Sequence, residues 1–217
     1  MKNKKVIFIS AGVVLILAAL VLAVFFLVTK KPSHSPEEEK YIKQIEEKRG
    51  EKDVSMRDDA DSPFNKKGKV EFHPLKYFDV DPQFVFHNKL TDNEVKDSIT
   101  TQGTKGDIRK GVRWGYVTFN YRNRDYKINV YQMKSAPTGE TYYAIWFTDR
   151  TTNDETYGVG RYLDFEKSED PEHIYQIDFN LAYNPYCAYT SSYSCTVPLK
   201  EDFIDLAIEA GEKKFHD

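Results

Sequence analysis

The chain has 217 residues and a formal net charge of -3. That length suits one domain with accessory segments. The lack of a basic stripe excludes a binder of nucleic-acid backbones, because Lys66, Lys67 and Lys69, like Arg122 and Arg124, are short groups interleaved with acids. Hydrophobic content is 40%, low for a globular chain, but fifteen Tyr and fourteen Phe supply enough area per residue for a sizeable core.

Residues 1–5 form a short tail, expected in the cytoplasm. Residues 6–28 carry no charge and only Ser10 as a hydroxyl. As a helix rising about 1.5 Å per residue they span roughly 34 Å, enough for a hydrocarbon core of about 30 Å. A secretory leader has a shorter apolar region and a small-residue cleavage site. This run ends Phe25-Phe26-Leu27-Val28-Thr29-Lys30 instead, with no Cys for lipid attachment. It reads as a permanent single-pass anchor, with the lipid bilayer as partner. Lys2, Lys4 and Lys5 precede it, and Lys30 and Lys31 follow. The positive-inside rule then slightly favours a cytoplasmic N-terminus, which places the remainder outside the cytoplasm, in the periplasm.

Residues 29–35 are a polar tether. A juxtamembrane helical segment is expected over 36–60. Ser35 is a good N-cap, Pro36 suits the first helical position, and Glu38 completes a capping box. Tyr41, Ile42 and Ile45 share a face, and Gly50 is a stop signal after Lys48 and Arg49. A restart through Val54 and Met56 would end at Asp61-Ser62-Pro63.

Residues 62–217 read as one β-rich domain. Short strands are expected at 84–86, 112–119, 126–130, 142–147, 156–163 and 174–179, from aromatic and β-branched content or from alternation. Arg122-Asn123-Arg124-Asp125 marks a hairpin turn, and residues 149–154 a second. Gly158-Val159-Gly160, inside a strand pattern, suggests a bulge. No strand-helix-strand rhythm is present. The expected fold is therefore mainly β, a compact sandwich or an open barrel, preceded by the transmembrane helix and the juxtamembrane helix.

Both cysteines, Cys187 and Cys195, fall in one unusual stretch with Asn180, Tyr183, Asn184, Tyr186, Tyr189 and Tyr193. Three readings of the thiols stand side by side. A disulfide would close about nine residues and stabilise by roughly 2.5 kcal/mol. Two buried thiols would act as small apolar groups. A structural metal wants about four close ligands, and the histidines are scattered, so no metal or cofactor is expected. Tyr and Asn together make good recognition surfaces, which nominates Asn180, Tyr183, Asn184 and Tyr186 as ligand-binding. The same rings could simply cap the sheet.

The chain resembles bacterial and archaeal proteins of the domain-of-unknown-function family 1684. The resemblance rests on Glu47-Lys48-Arg49 through Glu51-Lys52-Asp53, Ser62-Pro63-Phe64, Leu75-Lys76-Tyr77-Phe78 with Asp81-Pro82, Phe147-Thr148-Asp149, and Thr156 through Leu163. Its most specific part is Asp178-Phe179-Asn180 with Ala182-Tyr183-Asn184-Pro185, then Cys187-Ala188, Cys195, and Ile208 through Lys213. The family usually has Pro where this chain has Thr196, and Asn where it has Asp202. The resemblance implies a single fold unit and no established activity.

Three functional classes follow. The first is a membrane-anchored envelope domain that binds a small molecule or an envelope protein. The second is a hydrolase-like enzyme, with Asp178 and Glu209 or Glu212 as a carboxylate pair and Arg161 holding an oxygen. The third is a structural envelope protein without a ligand. For Arg161 the plainer reading is a buried ion pair with one of these acids, fixing strand register.

Overall fold

The computed structural model describes residues 34–66, 70–135 and 138–216. The apolar run at 6–28 lies outside the described residues, and among the described ones no helix is long and apolar enough to cross a membrane. The chain divides into two units, Met1–Glu39 and Lys40–Asp217.

In the first unit the described residues build a helix start. The Ser35 N–H donates to Glu38 Oε2 at 2.7 Å, and the Glu38 N–H donates to Ser35 Oγ at 3.2 Å. Two orphan amides are thereby satisfied by the expected capping box. The helix so opened is α1, Pro36–Asp58. It runs through Gly50 without a break, against the stop expected there. A single Gly costs only about 1 kcal/mol in a helix interior.

The second unit is a sheet of seven strands: β1 (Val85–Gln102), β2 (Ile108–Tyr121), β3 (Arg124–Lys134), β4 (Thr141–Asp149), β5 (Arg161–Asp164), β6 (Ile174–Asp178) and β7 (Phe203–Ile204). The spatial order is β5-β4-β3-β2-β1-β6, and β7 pairs with β4 in parallel. All pairs along the main path are antiparallel. One open, curled half-barrel results, so the two-sheet sandwich alternative is not the one the chain adopts. The β2–β3 hairpin turns on Arg122 and Asn123, both at positive φ (50° and 62°), with Tyr121 facing Arg124. Two left-handed residues give a turn whose twist matches the strands.

Three expectations need correction. The strand expected at 156–163 is confined to β5, because residues 151–156 fold into a tight turn around Asp149. Gly158 and Gly160 sit in the turn entering β5, not in a bulge. The strand expected at 84–86 begins at Val85, after a one-turn 3-10 helix at Pro82–Phe84, and continues to Gln102.

The sheet buries both faces near its middle. On one face Val117, Phe119, Ile128, Val130, Ile145 and Phe147 pack under Phe179, Ile208 and Ala210. Phe179 is fully buried and meets Phe86, Phe119 and Phe147 edge-on at 5.3 to 6.0 Å. On the other face Tyr131, Met133 and Trp146 pack with Ile99.

That second face hides a carboxylate. Asp202 accepts hydrogen bonds from Asn129 Nδ2, Tyr131 Oη, Trp146 Nε1 and the Leu199 N–H, at 2.6 to 3.0 Å. Burial nonetheless holds its carboxyl above the ordinary range, against those donors. A raised folded value means the native state binds the proton more tightly. The contribution of Asp202 is therefore full below the unfolded carboxyl pKa of about 3.9 and is lost as pH rises through the folded one. Asp202→Asn removes that dependence. Its amide can donate to Asn129 Oδ1, which is buried without a partner, once the Asn129 amide turns over. In urea titrations the advantage of wild type over Asp202→Asn should shrink between pH 4 and pH 7, whereas Asp202→Ala, which orphans four donors, should stay about 3 kcal/mol below Asp202→Asn throughout.

Candidate functional site

The core position of Phe179 sets the site. With that ring pinned in the apolar layer, Asp178 caps the one-turn 3-10 helix Phe179–Leu181 and accepts from the Asn180 N–H at 3.0 Å. Both side chains then face a cavity of about 490 Å³ beneath α1. The helix contributes Lys48, Arg49 and Lys52; the sheet end contributes Asp164, Asp178 and Tyr183; the C-terminal segment contributes Glu212.

Most charges in this cavity are already matched. Asp178 accepts from Tyr41 Oη at 2.8 Å through both oxygens. Burial, then the charge of Asp178, raises the Tyr41 phenol well above its usual range, so it stays a donor. Glu212 is fully buried and accepts from Lys52 Nζ (2.5 Å), Tyr189 Oη (2.6 Å) and the Asn184 N–H (2.8 Å). Arg49 donates to the carbonyls of Phe78 (2.8 Å) and Asn180 (3.2 Å) and stacks over the Tyr77 ring at 4.5 Å. Burial lowers its pKa, but it remains a cation. Lys48, exposed at the mouth, has no ion-pair partner among the described residues.

A second cavity, about 340 Å³, adjoins the first and shares Leu163, Asp164 and Tyr183 with it. Its walls are aromatic, with Tyr142, Tyr143, Tyr162, Tyr186 and Tyr193 prominent, and Cys195 lies at one side. Tyr183 is the partition. Its backbone N–H and carbonyl exchange hydrogen bonds with Tyr162 at 2.9 and 3.0 Å, which fixes the segment to β5. Its side chain is spent differently: Oη donates to Asp164 at 2.8 Å, and Lys52 Nζ sits 4.8 Å over the ring. The fold thus uses the Tyr183 backbone and leaves the ring to shape the cleft.

The four residues nominated for catalysis do not converge. Asp178 and Glu212 line the same cavity, each saturated with donors. Glu209 lines a separate cavity beside Arg122, Arg150 and Asp205. Arg161 is 1% exposed and lines neither part of the cleft. It forms a buried ion pair with Asp149 at 2.6 Å and donates to the carbonyls of Ile208 (2.9 Å), Ala210 and Glu212 (3.4 Å). Burial lowers its pKa, and Asp149 opposes the shift. Arg161 is thus ion-paired, but with Asp149 rather than Asp178, Glu209 or Glu212, and it clamps the C-terminal segment.

The residues nominated for binding divide. Tyr183 and Tyr186 face the cleft. Asn180 lines it, but its amide is engaged: Oδ1 accepts from the Asp81 N–H (2.9 Å) and Nδ2 donates to the Asp81 carbonyl (2.8 Å). Asn184 lines neither cavity and donates to the Lys213 carbonyl at 2.7 Å. Both amides serve the fold. The helical wall was missed from sequence. Lys48 and Lys52 lie at i and i+4 on one face, but the apolar stripe through Tyr41 and Ile45 points to core packing instead. Cys187 and Cys195 are free thiols. Among the described residues no cluster of three or more His, Cys, Asp or Glu could hold a metal.

The model of a family described as protein of unknown function (DUF1684) matches residues 70–213. The chain is also similar to an uncharacterised protein of Haloarcula marismortui solved by solution NMR. The two share 26% identity and a TM-score of 0.58, over 82% of this chain and 96% of that one. A comparison with proteins of curated function finds none that matches.

Proposed function

The chain belongs to the DUF1684 family, and on that premise we propose that it is a small-molecule-binding domain working through the two-lobed cleft beside Tyr183. One observation carries the reading: a charged cavity and an aromatic cavity share a wall, at volumes typical of small-molecule sites. The ligand that fits has an acceptor-rich or anionic head and an aromatic or aliphatic body. The head goes to Lys48, since the acids of the charged lobe already hold their own donors. The body lies along Tyr186 and Tyr193. Rigid, hydroxyl-tipped rings give contact area at low entropy cost. We further propose that residues 6–28 hold this domain at the outer face of a membrane, on the length and charge-free composition of that run.

The test uses the full chain from carbonate-washed membranes and the dye 8-anilinonaphthalene-1-sulfonate, an anionic head on an aromatic body. Tyr183→Ala and Lys48→Ala should each weaken dye binding about tenfold, or about 1.4 kcal/mol, with the melting temperature nearly unchanged. A variant that merely loosened the fold would take up more dye, not less. Unchanged binding in both variants removes the cleft from the account, and recovery of the chain in the soluble fraction removes the anchor.

A further inference from the structure

The two thiols stand on supports of different kinds. Cys187 lies in a one-turn 3-10 helix, Tyr186–Ala188, directly after the Asn184-Pro185 turn. Cys195 is fastened to the β1–β2 hairpin. Its N–H donates to Thr104 Oγ1 at 3.2 Å, and its carbonyl accepts from the Thr104 N–H at 2.9 Å. The residues on either side are fastened too. Arg109 donates to the Ser194 carbonyl (2.6 Å) and to Thr196 Oγ1 (2.9 Å), and the Val197 N–H donates to the Gln102 carbonyl (2.8 Å). The hairpin holds Cys195 rigidly, and the short turn brings Cys187 to it.

The two thiols lie side by side in unlike surroundings. The Cys187 N–H points to Cys195 Sγ at 3.2 Å. Tyr157 Oη approaches Cys187 Sγ at 3.7 Å. Both cysteines are partly exposed. A partly exposed sulfur beside a hydroxyl donor can carry the thiolate while its neighbour keeps the proton.

We propose that Cys187 and Cys195 form a reversible thiol–disulfide couple, in which Cys187 attacks a low-molecular-weight disulfide and Cys195 resolves the adduct. The Cys187 thiolate forms a bond to one sulfur of the small disulfide and expels the other half as a thiolate, which takes up a proton. Cys195 then loses its proton to water and attacks Cys187 Sγ, closing the protein disulfide and releasing the second thiol. Two electrons leave the protein pair and reduce the small disulfide to two thiols, and an external thiol reverses each step.

The electrostatics agree with this division. The Cys195 hydrogen bond, helped by Tyr157 and Thr104, brings the Cys187 thiol down to about 6, against the opposing effect of burial. The same bond and burial push the Cys195 thiol upward, opposed by the Cys187 N–H and, less, by Arg109. The ionisable groups facing the pair are Tyr157, Tyr162 and Arg109. Both phenols are raised by burial, so they remain neutral donors over the working range.

The experiment treats the full chain with oxidised glutathione and follows intact mass. Wild type should become lighter by two hydrogens and return to its starting mass with dithiothreitol. Cys195→Ser should stop at a stable adduct of one glutathione, and Cys187→Ser should react about tenfold more slowly than Cys195→Ser at neutral pH. Alkylation of the single thiol in Cys195→Ser, and of wild type, should show an inflection below that of an ordinary thiol. Equal reactivity of the two single variants overturns the assignment of roles. A wild-type bond that resists dithiothreitol in the folded chain, or no loss of hydrogens at all, overturns the couple.

Discussion

Replacing Arg161 by Met should lower the stability of the folded domain by about 3–5 kcal/mol, measured as the shift in urea midpoint at constant slope. The size follows from what is left behind. Asp149 keeps the Thr151 N–H (2.6 Å) and hydroxyl (2.5 Å) on Oδ1, but Oδ2 loses its one cation in a place that is 3% exposed. The carbonyls of Ile208, Ala210 and Glu212 lose their donor together. A carboxylate stranded without its partner costs far more than an ion pair contributes in place. Pairing Arg161→Met with Asp149→Asn should therefore recover part of the loss, and the double-mutant cycle should show a coupling well above 0.5 kcal/mol. A single variant within 1 kcal/mol of wild type would mean that the C-terminal segment is held by its apolar contacts alone.

Gly211→Ala should be comparably damaging, at about 3 kcal/mol or more, with the same readout. Gly211 has φ +76°, where an L side chain is strained. A Cβ built there would lie 2.6 Å from the Ala182 carbonyl oxygen and 2.7 Å from that of Phe179. Those atoms are backbone of the site segment and cannot rotate away. The Ala182 carbonyl also accepts from the Glu212 N–H at 2.9 Å, so relief of the clash would pull Glu212 off the floor of the cleft. Gly106 separates the two contributions. It has φ +82° but open space around it, so Gly106→Ala should cost only about 1–2 kcal/mol.

How far the sequence discloses this arrangement depends on whether the governing contact is local. The capping box at Ser35 and Glu38 and the Arg122-Asn123 turn are local, and both are in place. The strands with clear alternation, such as Ile128 and Val130 in β3, are found where expected. β1 was mostly hidden, because beyond Lys89 it pairs with β2 alone and leaves long stretches facing water. Its polar residues from His87 to Gln102 give no apolar period to read. The candidate site was half legible. Asn180 and Tyr183 stand out by composition and Asp178 by the family motif, yet which of them the fold consumes depends on partners more than ninety residues away, Tyr41 and Asp81 among them. Glu209 and Glu212, three positions apart, looked interchangeable. Only the turn at Gly211 sends one inward to Lys52 and leaves the other on a different surface.

The bonds of Arg161 to the carbonyls of residues 208–212 bear on how the polypeptide matures during vectorial synthesis. A nascent chain that has emerged as far as β7 holds every main strand, yet its guanidinium still lacks those acceptors and its charged lobe still lacks the Glu212 carboxylate. The two-lobed cavity thus cannot be complete in any shorter intermediate. Ribosome-stalled chains ending before Ile208 should remain protease-sensitive, because the clamp closes only once translation has passed that point.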